Sequence, residues 1–207
     1  MSDAVLVKIC GITLLEDALV AARLGADWLG FNFWPRSHRY LSPGSAAPIV
    51  AALPASVLPV GVLVDPSPAE LVEAVRVSGV RAVQLHGDEP PALCAAAPVP
   101  VVKAIRIRDR RSLSALAAYQ VSAFLFDSAS PGYGGSGTSF DWSLAAEIGA
   151  FVPLWLAGGL TPENVAAAVQ TVRPRGVDVA SGVESAPGRK DAKLVEAFIR
   201  NAKSAFS

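Results

Sequence analysis

Four side chains stand where they could move protons or hold a charged substrate. Cys10 ends the apolar run Val5–Ile9, Asp127 directly follows Ala123–Phe126, and His86 follows Ala82–Leu85, while Arg39 lies beyond the run Trp28–Phe33. A thiolate facing a carboxylic acid can take one proton and deliver another, which is the requirement of a sugar isomerisation that uses no cofactor. On position alone Cys10 reads equally well as a small buried hydrophobe. Asp127 shifts the balance, because an aspartate buried behind Phe124-Leu125-Phe126 without a partner would be costly. It is expected at a pocket mouth with a task.

Two further segments suit a phosphate. Ala157-Gly158-Gly159-Leu160-Thr161 and Ala180-Ser181-Gly182-Val183-Glu184 are small-residue turns, the second preceding a final helix expected from about Arg189. Small residues let a phosphate approach backbone N–H groups, and a helix N-terminus adds a favourable dipole. Tight turns alone are the competing explanation. The glycine-rich stretch Ser128–Ser139 reads as a lid over the reaction, or as a plain flexible connection.

The elements that must carry these residues alternate. Apolar, β-branched runs occur at Val5–Ile9, Trp28–Phe33, Val57–Val64, Ala82–Leu85, Val99–Ile107, Ala123–Phe126, Val152–Leu156 and Gly176–Val179, each followed by a helix-like segment. Helix starts are marked by Thr13 with Glu16, by Ser67 with Pro68 and Glu70, and by Thr161 with Pro162. In the first helix Leu15, Ala18, Leu19 and Ala22 are expected to form the buried face, and Gly25 to end it. Eight β/α units predict a single-domain (β/α)8 TIM barrel over residues 1–207, with its active site at the C-terminal ends of the strands. A doubly wound sheet is second, since Cys10-Gly11-Ile12-Thr13 lacks the glycine-rich turn such a sheet uses for nucleotides.

Composition excludes several classes. In 207 residues, 18 Lys+Arg balance 18 Asp+Glu and are scattered, so no nucleic-acid partner is expected. The mean hydropathy is +0.41 and Tyr40–Val64 carries no charge. Pro43, Pro48, Pro54 and Pro59 interrupt that stretch too often for a membrane span. No signal peptide is read at the N-terminus, and Cys10 and Cys94 are expected as reduced thiols, which together suggest the cytoplasm.

Longer motifs sharpen the reading. Lys8-Ile9-Cys10-Gly11-Ile12-Thr13, Gln84-Leu85-His86-Gly87-Asp88-Glu89, Gly134-Gly135-Ser136-Gly137 before Phe140-Asp141-Trp142, and Val177-Asp178-Val179-Ala180-Ser181-Gly182-Val183-Glu184 recur in order from the first strand to the last. In these the chain resembles the phosphoribosylanthranilate isomerases. The resemblance implies a cofactor-free Amadori rearrangement of N-(5′-phosphoribosyl)anthranilate in tryptophan biosynthesis, with no metal and no organic cofactor. It implies that Asp127 is the general acid that opens the ribose ring and Cys10 the general base at C2′. Arg39 matches the arginine for the anthranilate carboxylate, with Arg36 its competitor. His86 and Asp178 fall in signatures as candidate substrate contacts, and Gly158, Gly159, Ala180, Ser181 and Gly182 as the phosphate turns.

Asn32, His38, Asp65 and Thr138 depart from the residues expected at their positions. They touch substrate detail rather than the reaction. The competing readings are the related isomerase of histidine biosynthesis, whose design resembles two aspartates rather than Cys10 with Asp127, and a non-catalytic barrel that binds phosphosugars. A monomer and a homodimer are both compatible with the sequence.

Overall fold

The structure is a computed structural model and describes residues 5–107, 116–128, 142, 145–146 and 153–205. Eight parallel strands close into a barrel in chain order: β1 (Leu6–Cys10), β2 (Trp28–Asn32), β3 (Leu58–Leu63), β4 (Ala82–Leu85), β5 (Val101–Ile107), β6 (Ala123–Ser128), β7 (Leu154–Leu156) and β8 (Gly176–Val179). The ring is sealed by β1 against β8, where Leu6, Val7, Lys8 and Ile9 pair with Gly176, Val177, Asp178 and Val179. The expected (β/α)8 barrel is therefore the fold.

Side chains alternate across each strand, so the barrel carries two apolar cores. Residues of one parity, among them Val7, Ile9, Leu29, Phe31, Val83 and Phe126, face the helices and form the larger core. The other parity fills the interior, where Val102, Ala104, Ala123, Leu125, Trp155 and Ala157 cluster with Leu6 and Trp28. Trp28 and Trp155 stack there with ring centroids 4.0 Å apart. Leu6, Trp28 and Gly176 open their strands, so this apolar plug closes the N-terminal end of the barrel. Inward positions toward the other end can be polar and open to substrate. Emptying one large site in the outer core, as in Phe31→Ala, costs about 3–5 kcal/mol.

Around the strands lie α1 (Leu15–Arg23), α2 (Pro43–Ala51), α3 (Pro68–Ser78), α4 (Pro91–Ala95), α5 (Val165–Val172) and α6 (Ala192–Lys203). The capping box expected at Ser67 is present: the Ser67 hydroxyl accepts from the Glu70 N–H, and the Glu70 carboxylate accepts from the Ser67 N–H. The one expected at Thr13 is absent. Leu14 caps α1, and the Thr13 hydroxyl instead donates to the Gly188 carbonyl at 2.6 Å. The buried face of α1 also differs, with Ala18 and Ala21 inside while Leu15 is exposed. The helix packs against α6. At Thr161, Pro162–Asn164 form turns before α5 begins at Val165.

The largest departure from expectation follows β8. The last helix starts at Ala192, capped by the Asp191 carboxylate, not near Arg189. Before it come a short 3-10 turn at Ser181–Val183 and an antiparallel hairpin, β9 (Glu184–Ala186) with β10 (Arg189–Lys190). This hairpin folds two charged residues back toward the barrel mouth. No helix among the described residues is long and apolar enough to cross a membrane.

Candidate active site

The chemistry-bearing residues share the inward parity at the C-terminal end. Cys10 is the last residue of β1, four beyond the interior Leu6, and Asp127 stands two beyond the interior Leu125. Asp127 lies within β6 rather than after it, because the pairing with β5 continues to Ser128. Both line one cavity of about 440 Å³, together with Arg39, His86 and Asp178.

The cavity floor is a polar chain that crosses the barrel. The Lys8 ammonium is wholly buried; it donates to Asp178 Oδ1 at 2.9 Å and to Gln84 Oε1 at 2.9 Å. The other end of the Gln84 amide meets His86 Nδ1 at 2.8 Å. His86 Nε2 in turn lies 3.3 Å from Asp127 Oδ2. Lys8 sits two residues before Cys10, and a Cβ on Gly30 would come within 2.8 Å of the Cys10 sulfur and 3.0 Å of the Lys8 nitrogen. A glycine on the neighbouring strand is what leaves room for both groups.

Electrostatics follow from this packing. Burial pushes the Cys10 thiol above its ordinary value, and Asp178 adds to the rise; Lys8 and Lys190 pull it back without cancelling the effect. Burial draws the Lys8 ammonium down, but Asp178 and Cys10 outweigh it and leave Lys8 above the ordinary lysine range. Lys8 is thus a fixed positive charge beside the thiol at every physiological pH.

The wall is built by Arg39. Its Nε and Nη2 donate to the two oxygens of Glu184, each at 2.7 Å, and Lys190 reaches Glu184 Oε1 at 2.9 Å. Glu184 accordingly lies below the usual carboxylate range: burial pushes it up, but Arg39 and Lys190 outweigh that. A guanidinium held along one edge keeps its other N–H groups for a second planar anion. Arg36 also lines the cavity, but is exposed where Arg39 is half-buried.

The two small-residue turns line the same cavity. Gly158 and Gly159 have φ of 84° and 64°, conformations that disfavour a side chain, and line the cavity with Ala180 and Ser181. Gly182 does not reach the cavity lining. It packs on the Leu160 carbonyl, where a Cβ would not fit. Lys190 also donates to the Ala180 carbonyl at 3.0 Å, tying this turn to the Arg39 wall.

The departures from the expected pattern have local partners. The Asn32 carboxamide accepts from the Trp34 N–H at 2.9 Å, and Asp65, at φ 48°, accepts from the Asp88 N–H. His38 lines the cavity rim. The expected lid, including Thr138, lies outside the described residues.

The family model described as N-(5′-phosphoribosyl)anthranilate isomerase matches residues 7–201. The chain belongs to the phosphoribosylanthranilate isomerase family. A relative of that name from Geobacter sulfurreducens is 54% identical, over 95% of this chain and 98% of its own length. Among solved structures, the phosphoribosylanthranilate isomerase of Thermotoga maritima superposes with a TM-score of 0.91 at 46% identity, covering 96% of this chain and 98% of that one. A phosphoribosylanthranilate isomerase in complex with reduced 1-(o-carboxyphenylamino)-1-deoxyribulose 5-phosphate gives 0.87 at 43%, with the same coverage. The family activity, isomerisation of phosphoribosylanthranilate in tryptophan biosynthesis, is the activity of this chain.

Within this isomerase site, sequence reading passed over Lys8, Gln84, Glu184 and Lys190. Lys8 and Gln84 carried a usable signal: each is a polar residue inside an apolar strand, two positions before a candidate site residue. Glu184 ends a quoted motif but its partnership with Arg39, like the place of Lys190, depends on the hairpin.

Proposed function

We propose that this chain, acting as a single isomerase domain, carries out the rearrangement with Asp127 as acid and Cys10 as base. The observation that carries the reading is that both groups project from β1 and β6 into one cavity, with a guanidinium on one wall and small-residue turns on another. Asp127 gives its proton to the ribose ring oxygen as the C1′–O bond breaks, and the anthranilate nitrogen lone pair closes a C1′=N Schiff base. That cation acidifies C2′–H. The Cys10 thiolate takes the C2′ proton, and the freed pair forms C1′=C2′ while the nitrogen regains its lone pair. The enol O–H then loses its proton as C1′ gains one, giving the 2′-ketone. Asp127 is reprotonated and the Cys10 thiol gives up its proton, so substrate and product have the same atoms.

Every step moves a proton between side chains, substrate and water, so the scheme calls on no metal and no organic cofactor. Arg39 holds the anthranilate carboxylate along its free edge, and Gly158, Gly159, Ala180 and Ser181 receive the phosphate. Gly182 supports that turn by its packing on Leu160. Asp178 acts through Lys8, and His86 through Asp127. A cytosolic setting fits a reaction that needs Cys10 reduced. The small molecule is the only partner the reading requires, for either a monomer or a homodimer.

The test generates phosphoribosylanthranilate in situ and follows the decay of its anthranilate-type fluorescence. The native protein should accelerate decay by orders of magnitude, and Asp127→Ala should abolish most of that. Decay at the spontaneous rate with the native protein would overturn the reading.

A further inference from the structure

We propose that Gln84 is a positioning residue for the acid: its amide, held between Lys8 and His86, fixes the His86 ring with its proton on Nε2 and thereby aims the Asp127 carboxyl. The inference rests on the reading of Asp127 as the acid.

A lysine ammonium can only donate, so the Gln84 atom 2.9 Å from Lys8 Nζ must be the carbonyl oxygen. That leaves the amide NH2 facing His86 Nδ1 at 2.8 Å. An N–H on Nδ1 would oppose it donor to donor, so Nδ1 must accept and the ring is neutral. A neutral imidazole carries its one proton on the other nitrogen, and Nε2 faces Asp127 Oδ2. Oδ2, 3.3 Å from that N–H, can then only accept from it. This contact favours a proton of Asp127 on Oδ1, where it can be delivered to the substrate.

The far end of the chain is anchored. Lys8 cannot turn its ammonium elsewhere without abandoning Asp178, its buried ion-pair partner. Gln84 is 2% exposed, so water does not compete for either end of its amide. The order of atoms from Asp178 to Asp127 is therefore set by one buried charge pair.

The experiment is nitrogen-15 NMR of the His86 ring in the native protein and in Gln84→Glu, with steady-state kinetics on both. The native ring should show a protonated Nε2 and an unprotonated Nδ1. In Gln84→Glu a carboxylate oxygen faces Nδ1, which must become protonated. Nε2 then either accepts from Asp127 or, in an imidazolium, holds Asp127 ionised. Both deplete the delivering acid, so kcat should fall about 10–100-fold, within the usual scale of general-acid catalysis, with KM changed less than about two-fold because neither residue binds substrate in this scheme. Gln84→Met, which cannot hold either end, should give a mixture of ring protonation states and a smaller loss of kcat. A native ring protonated on Nδ1, or a Gln84→Glu protein whose ring changes state with kcat unaltered, overturns the inference. Should Asp127→Ala keep its turnover, the acid assignment beneath it falls, whatever the ring shows.

Discussion

Replacing Lys8 by methionine keeps most of the side-chain length and removes its charge. In the native barrel the Lys8 nitrogen is 2.9 Å from Asp178 Oδ1, with the two side chains 1% and 8% exposed. Breaking a buried pair by removing one partner leaves an uncompensated charge and costs about 3–5 kcal/mol. For a chain of this size each kcal/mol lowers Tm by roughly 2–4 °C, so a fall of about 6–20 °C is expected. Because Lys8 lies above its ordinary value in the folded chain, this stabilisation is complete below 10.5, the ordinary lysine value, and is lost only as pH rises through the raised one. Activity should fall for a second reason. Lys8 is the strongest influence drawing the Cys10 thiol down, so its removal moves the thiol further up, and each unit removes about nine-tenths of the thiolate present at neutral pH. Adding Asp178→Leu separates the two effects. The orphan charge is gone, so much of the stability returns. Asp178 pushes the thiol up less than Lys8 pulls it down, so neutral-pH activity stays below the native level. Thermal unfolding followed by tryptophan fluorescence and pH profiles of kcat/KM provide both readouts. A Lys8→Met protein with a native unfolding midpoint and an unmoved pH profile would refute the reasoning.

Other consequences are separable. Since burial holds the Cys10 thiol above its ordinary value of 9.0, titration of the thiolate's ultraviolet absorbance, taken as the difference between the native protein and Cys10→Ala, should have its midpoint above that pH; a midpoint at or below it would contradict this electrostatic reading. Glu184→Gln removes the charge that holds the Arg39 edge, and Arg39→Lys removes the fork itself. The second should raise KM about 10–100-fold, from a loss of roughly 1.5–3 kcal/mol in charge-assisted bonding, and the first by less; equal KM for all three proteins would free Arg39 of its carboxylate role. Ser67→Ala should cost about 1 kcal/mol through loss of its cap with kcat unchanged, because Ser67 does not line the cavity.

Much of the fold was legible because buried parallel strands announce themselves twice, by β-branched apolar runs and by the regular helical segments between them. The eight runs became the eight barrel strands with ends shifted by a residue or two. Asp127 was read as following its strand, since a carboxylate looks like a strand ending, whereas its partner strand continues to pair beyond it. Thr13 illustrates a different limit. A hydroxyl three residues before a glutamate has the form of a helix cap, but the Thr13 hydroxyl donates instead to the Gly188 carbonyl, 175 residues away in the chain. No local pattern encodes that competition. The acid, the base and the arginine were legible from residue type at strand ends. What organises them was not: Glu184 and Lys190 arrive on a hairpin of five strand residues, too short for periodicity, and the Lys8–Gln84–His86 chain joins two strands that are not neighbours in the barrel.

The central claim is that Cys10 removes the C2′ proton after Asp127 has opened the ring. Substrate deuterated at C2′ makes that step visible as release of deuterium into solvent, measured by NMR in single turnovers. The account predicts rapid release by the native protein and a loss of about 10²–10⁴-fold in both Cys10→Ala and Asp127→Asn, the second because an unopened ring leaves C2′–H unacidified. Release at the native rate from Cys10→Ala would contradict it.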